Sequence, residues 1–224
     1  MFTGIVSDGF IASILPDAEG WELVVDAPEI GSTLQIGDSV AIDGACLTVF
    51  KIDGDHLSFF VSTESIDKTI IKNYKVGAKI NMELPMQPNG YLGGHYVLGH
   101  VDTTAKVKMV QPGEKAWFFT IAIPSQFVKY VVYKGSVAIN GISLTINKVI
   151  DNDIELCIIP VTIEKTNMSL LNVNDSVNIE FDILAKYTEQ LLKFSLFYWA
   201  NGANIIDNSG YLLLENYQLM NYLN

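Results

Sequence analysis

Up to about residue 180, apolar positions come in short β-branched or aromatic runs cut by turn signals. Val40-Ala41-Ile42, Leu47-Thr48-Val49 and Leu57-Ser58-Phe59-Phe60-Val61 are separated by Asp43-Gly44 and Asp53-Gly54, a pattern that predicts short strands joined by tight turns. The succession returns as Val137-Ala138-Ile139, Leu144-Thr145-Ile146 and Ile154 to Ile159, with Asn140-Gly141 at the matching turn. Residues 38–51 read DSVAIDGACLTVFK and residues 135–148 read GSVAINGISLTINK; Ser39 and Ser136, Gly44 and Gly141, Thr48 and Thr145 each differ by 97. The register runs ungapped through Glu64 to Thr69 opposite Val161 to Thr166. It ends with Ile80-Asn81-Met82-Glu83 opposite Val177-Asn178-Ile179-Glu180. A match of that length is a tandem duplication. About six strands per copy predict a small closed barrel, which leaves no exposed sheet edge.

After Glu180 the period changes. Ile183, Leu184, Tyr187, Leu191 and Phe194 fall at helical spacing, with Asp182 as N-cap and Lys186 and Lys193 on the polar side. One amphipathic helix added to two barrels can bury its apolar side against a barrel or against other subunits, and the pattern alone leaves both open. The tail from Asn201 predicts a loop and then a short helix around Tyr211 to Tyr222. The expected fold is all-β, two tandem six-stranded barrels plus a C-terminal α-helix, with boundaries at 1–95, 96–183 and 184–224.

Composition narrows the function. Of 224 residues 49% are hydrophobic and 17% charged, against about 25% charged in an average soluble protein, so the chain has ample apolar surface to fold. The most apolar run, Phe194 to Ile206, spans 13 residues with Asn and Gly inside it, short of the roughly 20 needed for a membrane span. Met-Phe-Thr-Gly-Ile-Val at the start lacks the basic and apolar regions of a signal peptide, so a cytoplasmic location is expected. Fourteen Lys and Arg against 25 Asp and Glu give a net charge of −11 with no basic cluster, which argues against nucleic acid. Cys46 and Cys157 lie 111 residues apart and are expected as free thiols. No Cys-x-x-Cys, His-Glu-x-x-His or P-loop points to metal or nucleotide triphosphate.

Candidate chemistry centres on few residues. His95 and His100 share a Gly-rich segment between the copies, where glycine permits close backbone approach and imidazole titrates near neutral pH. Their spacing fits either a functional pair or structural hydrogen bonding. His56 stands alone on a predicted turn and reads as solvated. A cysteine in an apolar strand is ordinarily inert, but the repeat partner of Cys46 is Ser143, so both copies carry a small nucleophilic or hydrogen-bonding group at one place. Cys157 is opposite Phe60 and reads as core.

The segments Met1-Phe-Thr-Gly-Ile-Val6, Gly44-Ala-Cys-Leu-Thr-Val49, Leu92-Gly-Gly-His-Tyr-Val-Leu-Gly-His-Val-Asp102, Lys134-Gly-Ser-Val-Ala-Ile-Asn-Gly-Ile-Ser-Leu-Thr145 and Val177-Asn-Ile-Glu-Phe-Asp-Ile-Leu-Ala-Lys-Tyr187 together resemble riboflavin synthase, over residues 1–193. The resemblance implies two Greek-key, lumazine-binding barrels and a helix that assembles homotrimers, each reaction centre lying between the first barrel of one subunit and the second of its neighbour. It implies conversion of two 6,7-dimethyl-8-ribityllumazine into riboflavin and 5-amino-6-ribitylaminouracil by transfer of a four-carbon unit, with no metal or cofactor. Association with lumazine synthase is left open.

By the same resemblance, substrate contacts are expected from Gly4, Ile5, Val6, Cys46, Leu47, Thr48, Phe60, Val61, Ser62, Thr63, Glu64 and Ser65. Gly99, His100, Val101, Lys134, Ser143, Leu144, Thr145, Cys157, Ile158, Ile159, Pro160, Val161, Thr162 and Asp182 complete the set. Cys46, His100, Ser143, His95, Ser39 and Asn140 are the expected catalytic group, with the base open among Cys46, His100, Ser143 and water. Hydroxyls recurring at Ser39, Thr48, Thr145, Ser65 and Thr162 suit a polyhydroxyl ribityl chain. Phe2 is expected to lie over a pocket. Three departures stand out: Asn140 where Asp is usual, Val161 where Glu is usual, and no basic residue after Ile66. An alternative is a non-catalytic antenna of the lumazine-protein type. Such proteins have lost parts of the Gly-His and Cys motifs and the long helix, which this chain retains. A ferredoxin-reductase-like flavin barrel would need an Arg-x-Tyr-Ser motif that is not in the sequence.

Overall fold

Each copy of the repeat closes into one antiparallel barrel. The structure, a computed structural model, describes residues 1–28 and 30–200; the loop and helix expected after Asn201 lie outside the described residues. The first barrel is built from β1 (Ser7–Asp17), β2 (Gly20–Asp26), β3 (Ser39–Ile42), β4 (Ala45–Asp53), β5 (His56–Ser62) and β6 (Lys79–Glu83), closed in the order β1-β2-β5-β4-β3-β6. The second uses β7 (Thr103–Gln111), β8 (Trp117–Ala122), β9 (Ser136–Ile139), β10 (Ile142–Ile150), β11 (Asp153–Ile158) and β12 (Ser176–Phe181) in the same order. A short helix follows the fifth strand of each barrel, α1 (Thr63–Lys68) and α2 (Pro160–Lys165).

Alternation decides what is buried, because successive strand residues point to opposite faces. Ala45, Leu47 and Val49 of β4 and Leu57, Phe59 and Val61 of β5 fill the first core, and Phe119, Ile121, Ile154, Leu156 and Ile158 fill the second. Each of these side chains larger than Ala45 stabilises by about 2 kcal/mol when taken from water. The register shifts at Val49/Lys51 in β4 and at Ile146/Lys148 in β10, the same place in each barrel. Bulges of this kind bend a strand so that a small sheet can close.

The barrels meet back to back at their β3–β4 and β9–β10 turns. Asp43-Gly44 and Asn140-Gly141 take φ of 44° and 80°, and 46° and 77°, as a two-residue hairpin turn of the primed type requires. A Cβ on Gly44 would stand 2.7 Å from the Gly141 nitrogen, so only glycine allows this approach. Around the turns lies a buried polar network. Asp43 Oδ1 accepts from Asn81 N (2.9 Å) and Asn140 Oδ1 from Asn178 N (2.8 Å). The two amides then cross the seam, Asn81 Nδ2 donating to Asn140 O (2.9 Å) and Asn178 Nδ2 to Asp43 O (2.8 Å).

Helix α3 (Ile183–Ala200) starts where the change of period predicts, Asp182 Oδ1 accepting from Leu184 N at 2.9 Å. Leu184, Tyr187, Leu191, Leu192 and Phe194 are exposed on it. Residues up to Ala185 group with the barrels, and Lys186 onward forms a separate unit. Among the described residues no helix is long and apolar enough to cross a membrane.

Candidate functional site

Two equivalent sites arise because the repeat places Cys46 and Ser143 second in β4 and β10, opposite Ala41 and Ala138. At the first, Cys46 N donates to Gly99 O at 2.8 Å. Gly99 has φ +81°, and a Cβ there would lie 2.6 Å from the Cys46 Cβ. Thr48 is exposed one pleat further on and pairs across the strands with Ser39, half-buried. His100 is exposed, beside the half-buried Val101. Phe60, on β5, is exposed, and α1 follows that strand; Ser62 caps α1 by accepting from Ser65 N at 3.2 Å, and Thr63 and Glu64 are exposed.

The second site repeats this with the N-terminal segment as its wall. Ser143 N donates to Gly4 O at 2.9 Å, and a Cβ on Gly4 (φ +80°) would come within 2.5 Å of the Ser143 Cβ. Thr145 is exposed, as are Cys157, Ile159, Pro160 and Val161, while Thr162 and Leu144 are half-buried. Lys134, exposed, donates from Nζ to Asn147 Oδ1 at 3.1 Å. Beside exposed Ile5 and half-buried Val6 runs an open groove of about 340 Å³, lined also by Glu83, Met86 and Tyr91.

The sites differ most in their acid–base groups. His95 is buried with Nδ1 2.7 Å from Ser143 Oγ, and its buried Nε2 has no hydrogen-bond partner among the described residues. Burial pushes the imidazole pKa below its ordinary value, outweighing the nearby Asp182 carboxylate, which pulls it up. The neutral ring can therefore either accept a hydrogen bond from the Ser143 hydroxyl at Nδ1 or donate one to Oγ. Among the described residues no group of three or more His, Cys, Asp or Glu could hold a metal ion.

Several expected contacts sit elsewhere. Asn140 is 1% exposed in the seam between barrels, bonded to Asn178 and Asn167, so its side chain supports the turn rather than facing either site. Phe2 is fully buried with Ala41, Val97 and Ala138, its backbone paired with Val97, and the first-site Cys46 packs against that cluster. Leu47, Val61 and Ile158 point into the cores and have only backbone to offer. Cys157, read as core from its repeat partner, is exposed, because it alternates with buried Leu156 and Ile158.

The sequence reading passed over Glu83 and Glu180, 8% and 3% exposed. Glu83 accepts from Thr3 N (2.6 Å) and Gly4 N (2.8 Å), and Glu180 from Leu98 N (2.7 Å), Gly99 N (2.9 Å) and His100 N (3.0 Å). Their signal was present, since the two acids stand in register at the same offset as the rest of the repeat.

The family model of the lumazine binding domain matches residues 3–85 and 98–182. The riboflavin synthase of Photobacterium leiognathi is 41% identical over 195 residues, covering 86% of this chain and 89% of that protein. That of Schizosaccharomyces pombe is 37% identical over 202 residues, covering 89% and 97%. Among solved structures, LumP complexed with riboflavin superposes with a TM-score of 0.75 at 26% identity, covering 81% of this chain and 99% of that one. LumP complexed with 6,7-dimethyl-8-(1'-D-ribityl) lumazine gives 0.74 at the same identity and coverage. With both barrels matched and relatives above a third identical over most of its length, the chain belongs to the riboflavin synthase family of transferases.

Proposed function

We propose that this protein dismutates 6,7-dimethyl-8-ribityllumazine, one molecule serving as donor and a second as acceptor of a four-carbon unit, to give riboflavin and 5-amino-6-ribitylaminouracil. The carrying observation is the pair of equivalent sites in which Cys46 and Ser143 each donate their backbone N–H to a glycine carbonyl, Gly99 O and Gly4 O. A reaction between two copies of one substrate calls for two like pockets, and the duplication supplies them. The chemistry is redox-neutral: the carbons leaving the donor's pyrazine ring build the new ring of the acceptor, and the donor remnant keeps both nitrogens as amines.

In this reading the bases sit where proton loss is needed. The C7 methyl of one bound lumazine is acidic, and removing its proton creates the carbon nucleophile. His95, held neutral by burial and bonded to Ser143, suits general-base work in the second pocket. Cys46 and the exposed His100 bring a thiol and an imidazole to the first, where a nucleophile or an activated water would add to the other lumazine. Ser39, Thr48 and Thr145 offer hydroxyls to the ribityl chains. We further propose a cytoplasmic homotrimer, supported by the exposed apolar residues Leu184, Tyr187, Leu191 and Phe194 of α3.

The deciding experiment incubates purified protein with the lumazine alone and follows riboflavin by chromatography, wild type beside Cys46→Ala. Riboflavin is expected at half the molar amount of lumazine consumed, with a drop of roughly tenfold or more in the variant. A second reading, a lumazine or flavin carrier, is favoured by the likeness to ligand-bound LumP. Tight fluorescent binding without turnover would replace the first reading with it.

A further inference from the structure

The last strand of each barrel carries, at or next to its end, a buried carboxylate that reaches across to the other barrel's site. Glu83 ends β6 of the first barrel, and its oxygens accept from Thr3 N, Thr3 Oγ1 and Gly4 N at 2.6, 2.7 and 2.8 Å. Gly4 O then accepts from Ser143 N in the second barrel. Glu180, near the end of β12 in the second barrel, accepts from Leu98 N, Gly99 N and His100 N at 2.7, 2.9 and 3.0 Å. Gly99 O in turn accepts from Cys46 N in the first. Two relays follow, Glu83–Gly4–Ser143 and Glu180–Gly99–Cys46, and they cross.

A carboxylate is the group these positions call for. It offers acceptors only, and converging backbone N–H groups with nothing to accept them are costly to bury. Both glycines sit near φ +80°, with their would-be Cβ atoms inside 3 Å of the reactive residue. The wall segments therefore touch Cys46 and Ser143 directly and depend on their other side for support. We propose that Glu83 and Glu180 are positioning residues, each fixing the backbone segment that walls the pocket of the opposite barrel: Glu83 the Ser143 pocket, Glu180 the Cys46 pocket. Substituting either acid weakens binding in the pocket of the barrel it does not belong to.

This rests on the two-pocket reading above, and the cysteines report on it separately. Cys46 lies at the first site, and exposed Cys157 follows Leu156, which pairs with Ile146 on the strand that carries Ser143, so ligand in each pocket is expected to shield that pocket's thiol. The test alkylates full-length protein with iodoacetamide, with and without riboflavin, and scores both cysteines by mass spectrometry. Wild type is expected to show protection at both. Glu180→Gln, isosteric but presenting an amide donor to a backbone N–H, is expected to need roughly tenfold more riboflavin to protect Cys46 while Cys157 is unchanged. Glu83→Gln is expected to reverse the pattern. Equal weakening at both cysteines in either variant, an effect confined to the variant's own barrel, or no effect would each overturn the proposal. If a glutamine variant does not fold, Glu180→Asp and Glu83→Asp keep the charge with a shorter reach and must show the same crossed pattern. Absence of protection in wild type would instead sink the two-pocket reading itself.

Discussion

Asp43 and Asn140 hold equivalent places in the two barrels and differ by one charge, and their surroundings explain the difference. Asn167 Nδ2 donates to Asp43 Oδ1 at 2.8 Å, which turns its Oδ1 toward Asn140, where Nδ2 is the donor at 3.4 Å. A carboxylate at position 140 would face that oxygen unpaired. Tyr74 OH donates to Asp43 Oδ2 at 2.7 Å, whereas the repeat partner of Tyr74 is Leu171, with no hydroxyl to give. Asn140 therefore reads as an adjustment of the seam. Burial pushes the Asp43 carboxyl up to about 6, against hydrogen bonds from Asn81, Tyr74 and Asn167 that pull it down. Because its folded pKa lies above the unfolded 3.8, its contribution is full below about 3.8 and lost as pH rises through about 6. Urea denaturation of wild type and Asp43→Asn across that window is expected to show wild type losing about 3 kcal/mol relative to the variant as pH rises. A constant difference would mean that Asp43 ionises as an ordinary surface acid.

At the scale of elements, the paired hairpin turns govern how the barrels meet. Gly44→Ala adds a Cβ 2.7 Å from the Gly141 nitrogen at φ +80°, and the obstacle is backbone that cannot swing aside. Strain plus clash is expected to cost at least about 2 kcal/mol. Gly54→Ala is the matched control: its φ is +61°, but nothing lies within 4 Å of the added Cβ, so only the backbone term of about 1 kcal/mol applies. Thermal unfolding should rank Gly44→Ala well below Gly54→Ala, and similar melting points would show that the seam can open at little cost.

For the molecule as a whole, the helix after the barrels is the element that bears on assembly. Its exposed Tyr187, Leu191, Leu192 and Phe194 form an apolar surface that water disfavours. Deleting residues from Lys186 onward is expected to turn the proposed trimer into monomers with impaired activity. Sedimentation would check this, and a trimer surviving the truncation would assign assembly to the barrels instead.

Sequence by itself determined the duplication, the two closed barrels, the helix capped by Asp182 and the family. Each follows from local period, turn chemistry or a constant offset of 97 between like residues. It also held two signals that alternation and register make readable, the outward face of Cys157 and the in-register pair Glu83 and Glu180. What those acids hold was decided only by tertiary structure, because Glu83 and Gly4 lie 79 residues apart in the chain and no local pattern says which segments pass between the barrels. The same holds for Phe2 and Asn140. An offset reveals that two positions are equivalent, but only the closed and docked barrels determine whether that shared position faces a pocket or the seam.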